Sequence, residues 1–274
     1  MRYLPLFIVT SISFIIMLLF IFEGKEDKQN LRAVMEVGGK TLKDITETTT
    51  TPIQVTTQEE IAIGRLFLKK FSLLPGSHPS AKRVLRLGRR LAKHCRRKGI
   101  QYQFYVVRAG YANAFALPGG FVLVTQGMEQ MLSNDTELAW VIAHELQHIE
   151  KRHALLQMRA TILQKRLSLK ILRDVSKLGE HLEVFLRLTY SEVMELESDR
   201  EGIKMLQQAD FPPKKAIAVL DRFIARVKKT RKHSRNPLKM GIRLTRGALK
   251  DYFATHPHWE RRKQELQKIL KTLP

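Results

Sequence analysis

Two histidines and a glutamate stand at a spacing that suits a metal-dependent hydrolase. Residues 144–148 read His-Glu-Leu-Gln-His. Positions i and i+4 of a helix share one face, so His144 and His148 can reach one metal ion, and Glu145 can reach a water molecule beside it. The apolar residues 138–143 predict that this helix is buried. Two imidazoles and a carboxylate are costly to bury without a partner, which favours a metal site.

A catalytic zinc site usually has a third protein ligand. The pattern HExxHxxGxxH is excluded, because Lys151 and Ala154 stand where it requires Gly and His. The next acidic cluster along the chain comprises Glu192, Glu195, Glu197, Asp199 and Glu201. Glu195 and Asp199 share a helical face, which suits a ligand and a carboxylate that orients a ligand histidine. Glu192 lies on the same face and is the main rival, while the other two glutamates are weaker rivals.

Four motifs in this order resemble those of the zinc metalloendopeptidase family of the CAAX prenyl protease, HtpX and BepA. They are residues 113–120 (Asn-Ala-Phe-Ala-Leu-Pro-Gly-Gly), HELQH followed by His153, Ser191-x-x-x-Glu195-x-Glu197-x-Asp199, and Thr255-His256-Pro257. The resemblance covers about residues 57–270. The chain departs from it at Glu192, where the family usually has Arg, and at Ser198, where it usually has Ala.

The resemblance implies a zinc endopeptidase of the HExxH plus distal Glu type, with one zinc ion per chain. Its ligands would be His144, His148 and Glu195. Glu145 would be the general base, which takes a proton from the attacking water and passes it to the leaving amine. His256 would lie near the zinc and help to stabilise the developing oxyanion.

Further residues support this implied site. Asp199 would orient a ligand histidine. Arg262 stands six residues after the histidine of the fourth motif and belongs to the same motif. A peptide substrate would pair in extended form with an edge strand near residues 113–117, which places Asn113, Ala114 and Phe115 in the substrate site.

The elements that must position these residues predict an α+β fold that is mostly α, a zincin-like domain with a small sheet beside the HExxH helix. Residues 102–108 and 121–125 have the pattern of strands, and Pro118 limits any strand between them to an edge. Helical periodicity dominates from about residue 134 to about residue 230. Gly99 is predicted to end a second helix, whose apolar face runs to Cys95. Three helix starts are predicted from capping residues: Thr57 with Glu60, Ser80, and Ser133 or Asn134.

The chain begins with a segment that predicts a membrane helix. Residues 4–22 form a run of 19 residues without a charge, preceded by Arg2. This length just suffices to span a bilayer, and the flanking charges place residues 23–274 outside the cytoplasm. We expect a membrane anchor at 1–22, a polar tether at 23–56 and the peptidase domain at 57–274. The favoured location is the bacterial inner membrane, facing the periplasm; the alternatives are a soluble exported protein after signal cleavage, and the mitochondrial inner membrane.

The charge is strongly basic. The chain has 48 Lys and Arg against 26 Asp and Glu, a net charge of +22, and residues 61–110 contain 13 of the cations and no acid. This pattern predicts a solvated basic surface or attraction to an anionic membrane. Nucleic acid is not expected, because the sequence has no RNP-like pattern, zinc finger or basic zipper. A single cysteine, Cys95, excludes an intrachain disulfide and a cysteine-based zinc cluster.

These observations predict a zinc endopeptidase that acts on protein substrates at or near a membrane, in protein quality control of the cell envelope. Two alternatives belong to other classes. One is a chaperone or adaptor with a closed zinc site. The other is a membrane-surface module that uses the basic amphipathic stretch 154–173.

Overall fold

The computed structural model describes residues 55–132, 134–164, 190–233, 252 and 256–273. Within these ranges helices dominate and one small mixed sheet accompanies them, so the α+β, mostly helical architecture is confirmed and is consistent with a zincin-like domain. The helices are α1 Thr57–Leu68, α2 Pro79–Ala92, α3 Gln126–Met131, α4 Asp135–Glu150, α5 His153–Gln164, α6 Glu192–Gln208, α7 Ala216–His233 and α8 Trp259–Lys271. The strands are β1 Gln103–Val107, β2 Ala114–Leu117 and β3 Phe121–Thr125, and a 3-10 turn covers Pro213–Lys215.

The HExxH helix, α4, lies at the centre of this arrangement. Asn134 caps it, because its side chain accepts a hydrogen bond from the Glu137 amide at 3.1 Å. Every residue from 136 to 149 is buried. A helix at a protein surface has a polar face, whereas α4 is packed on all sides, by α2, α6, α7 and the sheet.

The sheet has the strand order β1-β3-β2. Strand β3 pairs in parallel with β1 and antiparallel with β2, so β2 is one of the two edge strands, as Pro118 predicts. The turn between β2 and β3 requires glycine, because Gly119 and Gly120 have φ angles of +78° and +101°. A Cβ atom on Gly119 would lie only 2.4 Å from the Ile61 Cα atom. Because glycine has no Cβ atom, α1 can approach the turn closely.

Both faces of the sheet are covered. Ala114 and Ala116 of β2 point into a core formed with α2, α4 and α6, whereas Phe115 and Leu117 point into a second core formed with α1 and α5. Strand β3 alternates in the same way, and all five of its residues are buried. Burial on two faces explains why the sequence of β3 is a continuous apolar run instead of an alternating one.

The predicted cap of α1 was wrong by one residue. Thr56 caps this helix, and its capping box is closed by Glu59. Glu60, which was predicted to close the box, is 1% exposed and its carboxylate lies 2.6 Å from an Arg97 guanidinium nitrogen. The Glu60 carboxylate, which the local pattern had assigned to the cap, therefore forms a tertiary ion pair with Arg97 instead.

The predicted limits of α2 were also wrong. His78 is the cap instead of Ser80, because the His78 Nδ1 atom accepts a hydrogen bond from the Ser80 amide at 3.2 Å. Pro79 then occupies the first helical turn, where proline is favoured. The helix ends at Ala92, so Cys95 lies beyond it, half-buried.

Some predictions lie outside the described residues. They concern the segment 4–22, nearly all of the tether, and the part of the amphipathic stretch 154–173 that follows residue 164. None of the helices in the described ranges combines the length and apolar character needed to cross a bilayer. In the described part of the amphipathic stretch, Leu155 and Met158 are buried in the second core, while Leu156 is partly exposed.

Candidate metal centre

Helix α4 presents three polar side chains to one buried site. His144, Glu145 and His148 are all fully buried. The Nε2 atoms of the two histidines lie 3.0 Å apart, so both rings point to the same place. The separation of one helical turn produces this arrangement, as the motif predicts.

Helix α6 brings a carboxylate to the two imidazoles, and the segment before α8 adds a third imidazole. The buried Glu195 oxygens lie 3.4 Å from His148 Nε2 and 3.5 Å from His144 Nε2. His256 Nδ1 lies 3.0 Å from Glu195 Oε1 and 3.3 Å from His144 Nε2. The candidate ligand atoms of these four residues all lie within 4.8 Å of one another, close enough to hold one metal ion.

This donor set fits zinc. Nitrogen and oxygen ligands bind zinc at about 2.0–2.2 Å, so two ligand atoms of a tetrahedral site lie about 3.3–3.6 Å apart. The distances from Glu195 to the two imidazoles fall in this range. Glu145 Oε2 is buried and has no hydrogen-bond partner among the described residues, which is costly unless a cation or a ligand lies beside it.

Arg262 of α8 connects Glu195 to Asp199. Its Nη1 atom lies 2.5 Å from Glu195 Oε2, while its Nε and Nη2 atoms each donate to an Asp199 oxygen at 2.7 Å. Asp199 Oδ1 in turn lies 2.8 Å from His144 Nδ1. Bidentate pairing of this kind fixes orientation as well as charge. The residues at positions 195, 199 and 262 thus form one buried network around His144.

The network sets the charges of the site. Burial by itself would raise the pKa of Glu195, but the positive charge of Arg262 holds this pKa well below its usual range. Burial and Arg262 lower the pKa of His144, yet the carboxylates of Asp199 and Glu195 outweigh them and raise it to about 9. Burial holds the pKa of His148 well below its usual range. Glu195 therefore stays negatively charged, which suits it to bind a metal cation.

Two tyrosines that the sequence motifs do not include line the site. The Tyr190 ring stacks on His148 with centroids 3.8 Å apart, and the Tyr252 ring stacks on His256 at 4.2 Å. The Tyr252 hydroxyl donates a hydrogen bond to Glu145 Oε1 at 3.1 Å. The sequence offered one signal for Tyr252, which is its spacing of four residues before His256. In the structure the His256 amide donates a hydrogen bond to the Tyr252 carbonyl.

The rival carboxylates of α6 do not join the cluster. The Glu192 side chain is 42% exposed and lies 3.5 Å from His258 Nδ1. Glu197 lies 2.8 Å from Lys151 Nζ. Glu201 pairs with the lysine three residues further on. Of the five acids that the sequence offers, Glu195 alone contacts the Nε2 atoms of both HExxH histidines, and Asp199 contacts the Nδ1 atom of His144.

The three predicted substrate residues lie beside the HExxH helix, since β2 packs against α4. Asn113 is fully buried, and its Oδ1 atom accepts a hydrogen bond from the Ala114 amide at 2.8 Å. The Phe115 side chain points to the opposite side of the sheet, where it packs 5.4 Å from the Phe71 ring. The backbone edge of β2, and not these side chains, is what an extended peptide would have to contact.

Residues 78–270 match the model of peptidase family M48. The mitochondrial metalloendopeptidase OMA1 of Arabidopsis thaliana is 32% identical over 173 residues, which cover 62% of this chain and 32% of that protein. OMA1 of Saccharomyces cerevisiae is 31% identical over 182 residues, 63% of this chain and 48% of that protein. The beta-barrel assembly-enhancing protease of Escherichia coli is 27% identical over 157 residues, 50% of this chain and 31% of that protein. The chain therefore spans between about a third and a half of the length of these relatives.

Proposed function

The chain belongs to peptidase family M48, and from this premise we propose that it is a metalloendopeptidase, as its relatives are, and propose the roles of its site residues and its place in the cell. His144, His148 and Glu195 bind one zinc ion, and Glu145 is the general base. The observation that carries this proposal is the buried set of donor atoms at zinc-ligand spacing, with the Glu145 carboxylate beside it.

When bound, zinc supplies Lewis-acid chemistry that activates water and polarises a peptide carbonyl. Glu145 takes a proton from the attacking water and delivers it to the leaving amine. Its Oε1 atom is held by Tyr252, which leaves Oε2 for this transfer. His256, whose Nε2 atom lies 3.5 Å from Glu145 Oε1, helps to stabilise the developing oxyanion. Arg262 keeps Glu195 in place and charged throughout.

Protein substrates bind in extended form along the edge of β2 that does not pair with β3. The Ala114 amide already donates to Asn113, so pairing depends on the other outward-facing groups of the strand. Asn113 thereby shapes the edge, and Phe115 holds the strand to its second core. Main-chain pairing of this kind gives affinity with little sequence preference, which suits a protease that acts on misfolded or misassembled proteins.

One observation favours a second candidate, a closed zinc site without turnover. His256 Nδ1 lies as close to Glu195 and His144 as a fourth ligand would. Four protein ligands are typical of structural zinc, whereas catalytic zinc keeps one position open. His256→Ala separates the two candidates. Peptide cleavage falls if His256 stabilises the oxyanion, and it appears or rises if His256 closes the site.

We place the protein at a membrane, with residues 1–22 as anchor, 23–56 as tether and 57–274 as the catalytic domain outside the cytoplasm. The 19-residue uncharged run and the basic surface support this placement. The beta-barrel assembly-enhancing relatives support a role in quality control at a bacterial envelope. The mitochondrial OMA1 relatives support a mitochondrial location as the alternative.

Glu145→Gln tests the endopeptidase proposal. This change removes the base and keeps the three ligands, so zinc content should be unchanged while cleavage of casein falls by about 10²–10⁴-fold. Glu260→Gln, which alters an exposed glutamate of α8, is the matched control and should retain both properties. Full casein cleavage by a verified Glu145→Gln sample would refute the mechanism.

A further inference from the structure

We propose that His153 is a positioning residue for the metal centre. It accepts a hydrogen bond from the Nδ1 atom of His148, and its own Nε2–H group points towards Glu197. In this way it fixes the tautomer in which His148 binds zinc. This inference rests on the proposed role of His148 as a ligand. His153 itself is not a ligand, because it lies behind the His148 ring, outside the cluster of donor atoms.

The orientation of the His148 ring decides which nitrogen meets the metal. Its Nε2 atom lies 3.0 Å from His144 Nε2 and 3.4 Å from Glu195 Oε1, so Nε2 faces the site. A neutral imidazole that binds a metal through Nε2 carries its proton on Nδ1. His148 is fully buried, so this N–H needs an acceptor inside the protein.

His153 supplies that acceptor. Its Nδ1 atom lies 3.0 Å from His148 Nδ1, and its side chain is almost fully buried. Since His153 must accept at Nδ1, its proton is on Nε2. The Nε2 atom lies 3.4 Å from Glu197 Oε2, and Glu197 Oε1 lies 2.8 Å from Lys151 Nζ. Ser198 Oγ, 3.4 Å from His153 Nδ1, is the more distant neighbour of the same nitrogen.

The two proposed ligand histidines therefore reach carboxylates by different routes. His144 Nδ1 contacts Asp199 directly at 2.8 Å, and Asp199 is paired with Arg262. His148 is linked to the Glu197 carboxylate through His153, and Glu197 is paired with Lys151. The first route is wholly buried. The second ends at a partly exposed ion pair, with side-chain exposures of 39% and 30% for Lys151 and Glu197.

Substitutions at position 153 test the acceptor role in the full-length protein. Asparagine can place its amide oxygen near the position of ring Nδ1, glutamine reaches instead towards the position of ring Nε2, and leucine offers no acceptor. His153→Leu and His153→Gln should each weaken zinc binding by about 10–100-fold, as is typical for the loss of a group that orients a ligand. His153→Asn should restore the affinity to within a few fold of the wild type.

Three readouts separate positioning from simple structural support. Zinc affinity is measured by competition with a chromogenic chelator, ligand geometry by the visible absorption of the Co²⁺-substituted protein, and fold integrity by the Tm of the metal-free protein. If His153 positions His148, the Asn variant resembles the wild type in zinc affinity and in Co²⁺ spectrum, and the Gln and Leu variants do not. The metal-free Tm values of the Asn and Gln variants stay similar. Equal zinc affinity in all three variants would overturn the proposal, as would affinities that follow Tm alone.

Glu197→Gln tests the next step of the route, with Glu201→Gln as its matched control. Both residues are glutamates of α6 with similar exposure and a lysine partner, but Glu201 has no contact with His153. Glu197→Gln should weaken zinc binding several fold and Glu201→Gln should leave it unchanged; equal effects would overturn the route.

A separate variant, His148→Ala, checks the ligand assignment. Full zinc occupancy in His148→Ala refutes the proposed function, whereas loss of zinc there with no effect at positions 153 and 197 refutes this inference alone.

Discussion

At the scale of single residues, Glu195 and Glu192 differ sharply although they stand one helical turn apart on α6. Glu195 is buried against two imidazoles, whereas Glu192 is 42% exposed beside His258. We expect Glu195→Gln to lose zinc, because a neutral amide oxygen would replace the anionic oxygen of the proposed ligand, and Glu192→Gln to keep it. Metal analysis of the purified variants decides the matter. Zinc retained in Glu195→Gln and lost in Glu192→Gln would show that the third ligand has been assigned to the wrong residue.

Tyr252 gives a second prediction at this scale. Its hydroxyl donates to Glu145 at 3.1 Å, and its ring stacks on His256. Tyr252→Phe removes the hydrogen bond and keeps the stacked ring. A hydrogen bond to a charged group contributes about 1.5–3 kcal/mol, so we expect kcat to fall about tenfold or more, with zinc content unchanged. An unchanged kcat would show that Tyr252 does not position the base.

At the scale of elements, an ion pair between α2 and the first turn of α4 gives a prediction about pH. Partial burial raises the pKa of Asp135, but hydrogen bonds from Arg86 and Arg83 outweigh it and hold this pKa below its ordinary value. A lowered pKa in the folded state stabilises the protein above the unfolded pKa, near 4, and this stabilisation is lost as the pH falls through the folded value. The difference in unfolding free energy between the wild type and Asp135→Asn should therefore be complete at pH 6 and shrink below about pH 4.

Urea unfolding at a series of pH values measures this difference. Because the Asp135 side chain is 42% exposed, solvent screens the pair and the effect should be modest. Asp210→Asn, at a carboxylate that is 90% exposed, is the control. A difference for Asp135→Asn that grows at low pH would contradict the expected sign.

The elements themselves were largely predictable, and their exact limits were not. The HExxH helix and the two longer strands follow from apolar periodicity, and Asn134 is one of the two caps that the sequence offers, because these patterns act over a few residues. The cap of α1 was misplaced because Arg97, distant in sequence, binds the glutamate that the local pattern had used. The last turn of α2 could not be located from its apolar face, since that face continues to Cys95 beyond the helix end.

The site divides in the same way. His144, Glu145 and His148 follow from spacing alone, because one helix carries them. Glu195 and Asp199 follow from spacing only as one pair among several acids. His256 and Arg262 were named by family resemblance, since no local pattern shows that the end of the chain packs against α6. Tyr190 was missed because its contact with His148 is tertiary, and Tyr252 was missed because its hydrogen bond with Glu145 is tertiary.

At the scale of the whole molecule, the full-length chain should behave as a membrane protein. Residues 4–22 form an uncharged run of 19 residues, and the net charge of +22 adds attraction to anionic lipid. We expect the protein to stay in the membrane fraction after carbonate treatment, with its N-terminus intact by mass spectrometry. Release of an intact chain by carbonate would exclude the anchor. A mature protein that starts after residue 22 would instead support a cleaved signal.

The pairing of Arg262 with Glu195 and Asp199 has a consequence for the order of events at the ribosome. The histidines of α4 and the acids of α6 emerge well before α8, so a nascent chain carries them for some time without the guanidinium that holds them. Two carboxylates without a counter-charge resist burial, so we expect the pocket to assemble only after α8 docks. We therefore expect the proposed zinc site to form last, once residue 262 has left the ribosome, and we expect chains that stop before α8 to lack hydrolytic activity.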